Sequence, residues 1–101
     1  MTIFALSTGS GISGVAVIRI SGEETSKIIK LLTSKKIPEP RVATLRKINK
    51  INTSELIDEG IILWFPGPES YTGEDMAEIQ VHGSKAVVDA LHSSLSKIEN
   101  C

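Results

Sequence analysis

The sequence predicts an α+β fold: a mixed, about five-stranded β-sheet with two main helices, in one domain spanning residues 1–101. Three observations carry this expectation. Val15–Ser21, Leu56–Phe65 and Met76–His82 are short runs rich in β-branched and apolar residues, which prefer a pleated surface to a helix. Two other segments place their apolar residues at helical spacing. A chain of 101 residues has room for one core and no second domain.

Residues 2–7 are short, apolar and bounded by serine and glycine, and form the first predicted strand. The glycines of residues 9–14 connect it to a second strand at Val15–Ser21. Ser21, followed three residues later by Glu24, reads as a capping box that starts a helix. Ile28, Ile29, Leu31 and Leu32 give this helix a broad apolar face, and Glu23 is positioned to reach Lys27 at i,i+4. The prolines at 38 and 40 require it to have ended, by Ser34. Residues 41–48 alternate and form a third strand, followed by a polar turn at residues 49–55. Leu56–Phe65 ends in a continuous apolar run that suits a central strand covered on both faces. Residues 66–75, with two prolines and two glycines, are a loop. In Met76–His82, alternation puts Ala77, Ile79 and Val81 on one face and Met76, Glu78, Gln80 and His82 on the other. From Ser84 to about Ile98, residues Val87, Val88, Leu91, Leu95 and Ile98 repeat at helical spacing and form the second helix.

Composition narrows the function classes. A net charge of −1 gives no general basic field for nucleic acid, so any RNA contact would be local or made by other domains. The apolar run at residues 61–65 is far shorter than the ~20 residues a membrane helix needs, and no leader pattern is visible, so the expectation is a soluble, cytoplasmic protein. A single cysteine, Cys101, allows no internal disulfide, and neither a CxxC nor a Cys/His cluster marks a metal site. His82 and His92 lack a third ligand at metal spacing, and no residue is assigned a catalytic role.

Gly9-x-Gly11-x-x-Gly14 has the spacing of a dinucleotide-binding loop, but that motif needs a helix opening on its third glycine and an acid about 20 residues onward. Here a strand follows and lysines occupy the later region, so the glycines read as a connector between strands. No G-x-x-x-x-G-K-[ST] occurs, which excludes a P-loop within these residues.

Two charged residues stand out. Arg19 shares a strand face with Val15, Val17 and Ser21, and if both faces are covered its charge requires a carboxylate or a polar or anionic ligand. The simpler readings are an internal Arg–carboxylate pair or an arginine at an exposed edge. Glu78 is a carboxylate among apolar strand residues; it is either on a solvated face or the acceptor for a flat heterocycle with adjacent N–H donors, such as a pterin or guanine edge.

Taken together, "GVAVIRISG" (14–22), "LWFPGPESYTGED" (63–75) and "EIQVHG" (78–83) resemble the amino-terminal domain of the MnmE (TrmE) family of tRNA-modification GTPases over nearly the whole chain. The resemblance implies a sheet-based domain related to folate-dependent aminomethyltransferases, which forms a homodimer and binds a 5-formyl-tetrahydrofolate-type cofactor. It implies that Arg19 and Glu78 contact that folate. It further implies a helical domain and a G domain using GTP, Mg2+ and K+, and a flavoprotein partner, MnmG (GidA). Together these would modify carbon 5 of the wobble uridine of certain tRNAs to aminomethyl or carboxymethylaminomethyl forms. Three departures are visible: the family's Pro-Gly-Glu-Phe segment with a further folate-contacting lysine is not among these residues, its His-Gly-Gly is His82-Gly83-Ser84, and its catalytic cysteine has no counterpart. The expectation is a domain fragment that binds folate weakly and does not itself catalyse the modification. The alternatives are an interaction module without its own ligand site and a stand-alone one-carbon transferase.

Overall fold

The computed structural model describes residues 1–6, 14–51 and 53–98. Five strands form one sheet in the order β1-β2-β5-β4-β3: β1 (Ile3–Leu6), β2 (Val15–Ser21), β3 (Thr44–Asn49), β4 (Leu56–Phe65) and β5 (Met76–His82). Every ladder between these strands is antiparallel, so the sheet expected as mixed is antiparallel, with one isolated parallel bridge between Pro40 and Trp64. The bounds of β2, β4 and β5 match those read from the sequence, whereas β3 begins three residues later than expected. Residues 41–43 are taken up by the turn around Arg41, whose φ is 62° and whose N–H donates to the Trp64 carbonyl. The strands flanking the glycine connector pair with each other; the glycine positions 9 and 11 lie outside the described residues, as do Ser7 and Cys101.

Both helices pack on one face of the sheet. From α1 (Thr25–Thr33), Ile28, Ile29 and Leu32 are fully buried; from α2 (Lys85–Ser96), Leu91 and Leu95 are fully buried. They meet Ala16, Ile18 and Ile20 of β2, Ile62 and Trp64 of β4, and Ala77, Ile79 and Val81 of β5, one contiguous core that removes one face of these three strands from water. α2 starts where its sequence indicates, with the Ser84 hydroxyl accepting from the Val87 N–H at 3.2 Å.

The start of α1 corrects the capping-box expectation. Ser21 remains in β2, and Glu24 is the N-cap without a side-chain cap bond. The Ser21 hydroxyl lies 2.8 Å from Thr72 Oγ1, so it braces the β4–β5 loop instead of the helix. The turn is stabilised by the Thr25 hydroxyl donating to the Gly22 carbonyl at 2.7 Å and by the Glu24 N–H donating to Thr2 Oγ1 at 2.9 Å. Glu23 consequently precedes the helix and lies 3.5 Å from the Met1 amino group instead of pairing with Lys27. α1 ends at Thr33 as expected, on Ser34 in the left-handed region with its N–H donating to the Lys30 carbonyl.

A second correction concerns β4. Gly60, Ile62 and Trp64 are buried under the helices, but Ile61, Leu63 and Phe65 on the opposite face are only half-buried. Among the described residues no element covers that side of the sheet, which therefore presents an open, largely apolar face including Val15 and Leu45. An apolar run suits a strand covered on both sides; here the described elements cover one side.

Candidate functional site

The register of the two central strands places Arg19 opposite Glu78, with Leu63 next across on β4, all on the open face. Arg19 donates from Nε and from Nη2 to the same carboxylate oxygen, Glu78 Oε1, at 3.3 and 3.2 Å. The Arg19 side chain is 52% exposed and that of Glu78 is 17% exposed. The condition of cover on both faces is not met among the described residues, so water reaches the guanidinium and no burial cost forces a ligand on it. The internal Arg–carboxylate pair is present nonetheless, and its geometry leaves chemistry available. Glu78 Oε2 has no hydrogen-bond partner among the described residues, and part of the guanidinium is likewise unengaged. The pair thus combines a fixed acceptor oxygen with a cationic fork.

The loop at residues 66–75 walls one side of this pair. A cavity of about 430 Å³ is bounded by Arg19 and Glu78, by Phe65 and Met76 at the paired ends of β4 and β5, and by Glu69, Ser70 and Tyr71 of the loop. The loop is tied down at several points. Asp75 Oδ1 accepts from the Gly67 N–H at 2.9 Å, the Asp75 carbonyl accepts from the Gly22 N–H at 2.9 Å, and Arg41 donates to the Glu69 carbonyl at 2.7 Å. The Ser70 hydroxyl donates to the Glu74 carbonyl across the loop. Gly67 is required by close approach, since a Cβ there would lie 2.9 Å from the Glu74 carbonyl carbon and the Gly73 oxygen. The Gly67–Pro68 peptide bond is cis.

Sequence reasoning singled out Arg19 and Glu78, and the structure brings them together. It missed Phe65, Tyr71 and Met76 as cavity residues; an aromatic set within a Pro/Gly loop was the available signal for Tyr71. It also missed the partner of His82. The Asp58 carboxylate accepts from the His82 backbone N–H at 2.9 Å and lies 2.9 and 3.0 Å from its Nδ1. Burial raises the Asp58 carboxyl, but the hydrogen bonds from the His82 backbone and ring and from the Glu59 backbone outweigh it and hold it below its ordinary value. This pair lies beyond the last β4–β5 backbone partners, Ile61 and Gln80, where it continues the join between the two strands. Among the described residues no group of three or more His, Cys, Asp or Glu side chains could hold a metal ion.

The family described as "GTP-binding protein TrmE N-terminus" matches residues 2–100, all but the two ends of the chain. The chain belongs to this family. It is 78% identical over its full length to "tRNA modification GTPase MnmE" of Pelagibacter ubique (strain HTCC1062), covering 23% of that protein. It is 48% identical over 96% of its length to the protein of the same description from Zymomonas mobilis, covering 22% of it. It is also 45% identical over 96% of its length to "5-taurinomethyluridine-[tRNA] synthase subunit GTPB3, mitochondrial" of Danio rerio, covering 19% of it. The chain therefore spans about a fifth to a quarter of the curated relatives it matches. The family's amino-terminal unit accounts for the sheet and both helices described above.

Proposed function

We propose that this chain binds a 5-formyl-tetrahydrofolate-type one-carbon cofactor and mediates dimerisation, as the amino-terminal part of a tRNA-modification GTPase acting on carbon 5 of wobble uridine. The observation that carries this reading is the Arg19–Glu78 pair beside a cavity of about 430 Å³, with Glu78 Oε2 engaged by none of the described residues. The residues present fit such a cofactor. A carboxylate oxygen fixed by an arginine accepts a hydrogen bond from the N–H edge of a pterin, Phe65 and Met76 supply apolar contact for its ring, and the cavity volume lies in the range of small-ligand sites. Because Oε1 is already engaged by Arg19, Glu78 offers the ligand one oxygen as an acceptor and not a symmetric pair. A bound formyl-folate would supply a one-carbon unit; the chain's own contribution is to bind and orient it.

The open apolar face supports dimerisation, with Leu45 exposed and Leu63 half-buried on it. Contacts with an MnmG-type flavoprotein and with tRNA, and the chemistry of GTP, Mg2+ and K+, belong in this reading to the rest of the longer protein, in the cytoplasm. No described helix is long and apolar enough to cross a membrane.

Calorimetric titration with 5-formyl-tetrahydrofolate tests the ligand. Saturable binding that is lost in Glu78→Ala is expected; equal affinity in wild type and variant would reject the assigned site. The same open face also favours a reading in which the chain is an interaction module alone. Concentration-dependent association seen by light scattering, with no folate binding, would select it.

A further inference from the structure

Tyr71 is 94% exposed although it is a large aromatic side chain, and it lines the Arg19–Glu78 cavity. Exposure of this kind usually accompanies a mobile segment, but the residues on either side of Tyr71 are bound down. Ser70 donates to the Glu74 carbonyl, and Thr72 Oγ1 lies 2.8 Å from the Ser21 hydroxyl of β2. The loop is thus braced before and after an aromatic ring that it leaves in water beside a cavity. The same cavity is lined by Phe65 and Met76, which supply apolar surface, and by Glu78, which supplies an acceptor oxygen. A cavity whose lining combines aromatic and apolar groups with a fixed carboxylate acceptor matches a flat ring bearing N–H donors.

We infer that Tyr71 is the outer wall of the site, packing its ring on the face of a planar heterocycle whose N–H edge is held by Glu78. This inference rests on the proposed ligand reading and adds a specificity-determining residue to it. Contact is made by the ring and not by the hydroxyl, so Tyr71→Phe should bind like wild type and Tyr71→Ala should not. An aromatic face contact of this type corresponds to about tenfold in affinity. Tyr71 makes no core contact, so its replacement leaves the fold intact.

The test uses the protein with whatever sequence flanks these residues in its gene, tyrosine-labelled for NMR, with 5-formyl-tetrahydrofolate as the probe. The Tyr71 ring-proton resonances, assigned by their loss in Tyr71→Phe, are expected to move upfield at saturation. Calorimetry is expected to give an affinity about tenfold weaker for Tyr71→Ala and within twofold of wild type for Tyr71→Phe. Saturable binding without movement of the Tyr71 resonances, or with Tyr71→Ala within twofold of wild type, would overturn this inference alone. Absence of binding by the wild-type protein would overturn both this inference and the ligand reading beneath it.

Discussion

Replacing Gly60 by alanine should destabilise the fold at the place where β4 and β5 part. A Cβ on Gly60 would lie 2.2 Å from the Gln80 carbonyl oxygen and 3.1 Å from Val81 Cγ1. Carbon–oxygen contacts in sheets are normally about 3.3 Å or longer, so roughly 1 Å must be opened between two backbones. The oxygen is main-chain and cannot rotate aside, and Ile61–Gln80 is the last backbone pair before the Asp58–His82 bonds continue the join. Overpacking of this kind costs about 1–3 kcal/mol, and the backbone clash puts it in the upper half of that range. The alanine also restricts the unfolded chain, which offsets about 0.4–1 kcal/mol. The net loss is therefore about 1–2.5 kcal/mol. Urea denaturation followed by the fluorescence of Trp64, the single tryptophan and 7% exposed, reads this as a lower midpoint at unchanged slope. Gly14→Ala is the control, because a Cβ there meets nothing within 4 Å. If Gly60→Ala were as stable as Gly14→Ala, the close approach of β4 to β5 described above would be wrong.

Other expectations follow from the same contacts. Leu91→Ala removes a fully buried α2 side chain and should cost about 2–5 kcal/mol by the same denaturation assay. Because the Asp58 carboxyl is held below its ordinary value in the fold, its contribution is present above the unfolded carboxyl pKa and is lost as pH falls through the lower folded value. Asp58→Asn should therefore be less stable than wild type near neutral pH, with the difference shrinking below about pH 4 in denaturation curves recorded across the acid range. Arg19→Ala should change stability by no more than about 1 kcal/mol, because its pair is half exposed and screened, while weakening ligand binding by more than that.

The fold was legible where one physical signal dominated. Val15–Ser21 is rich in β-branched residues and Met76–His82 alternates, and the faces assigned to Arg19 and Glu78 agree with the observed register. α2 announced itself through the helical spacing of Val87, Val88, Leu91 and Leu95. Local rules failed where a distant partner competed. Ser21 and Glu24 have capping-box spacing, but β2 continues through Ser21 and the loop hydroxyl of Thr72 takes its side chain. Hydropathy could not tell that no described element covers Ile61, Leu63 and Phe65, since a strand open on one face carries the same residues as one covered on both. The condition under which Arg19 would be buried, cover on both faces of its strand, therefore could not be decided from the sequence, and Arg19 is half exposed. The Asp58–His82 pair joins residues 24 apart through side chains, a contact that no spacing rule reaches.

The central claim is that Arg19 and Glu78 act as one unit holding a ligand, and a double-mutant cycle in binding tests it most directly. Affinities for 5-formyl-tetrahydrofolate would be measured for wild type, Arg19→Ala, Glu78→Gln and the double variant. The account predicts that each single change weakens binding by about tenfold or more and that the double variant loses little beyond the worse single one. Losses that multiply independently, or affinities that do not change, would contradict it.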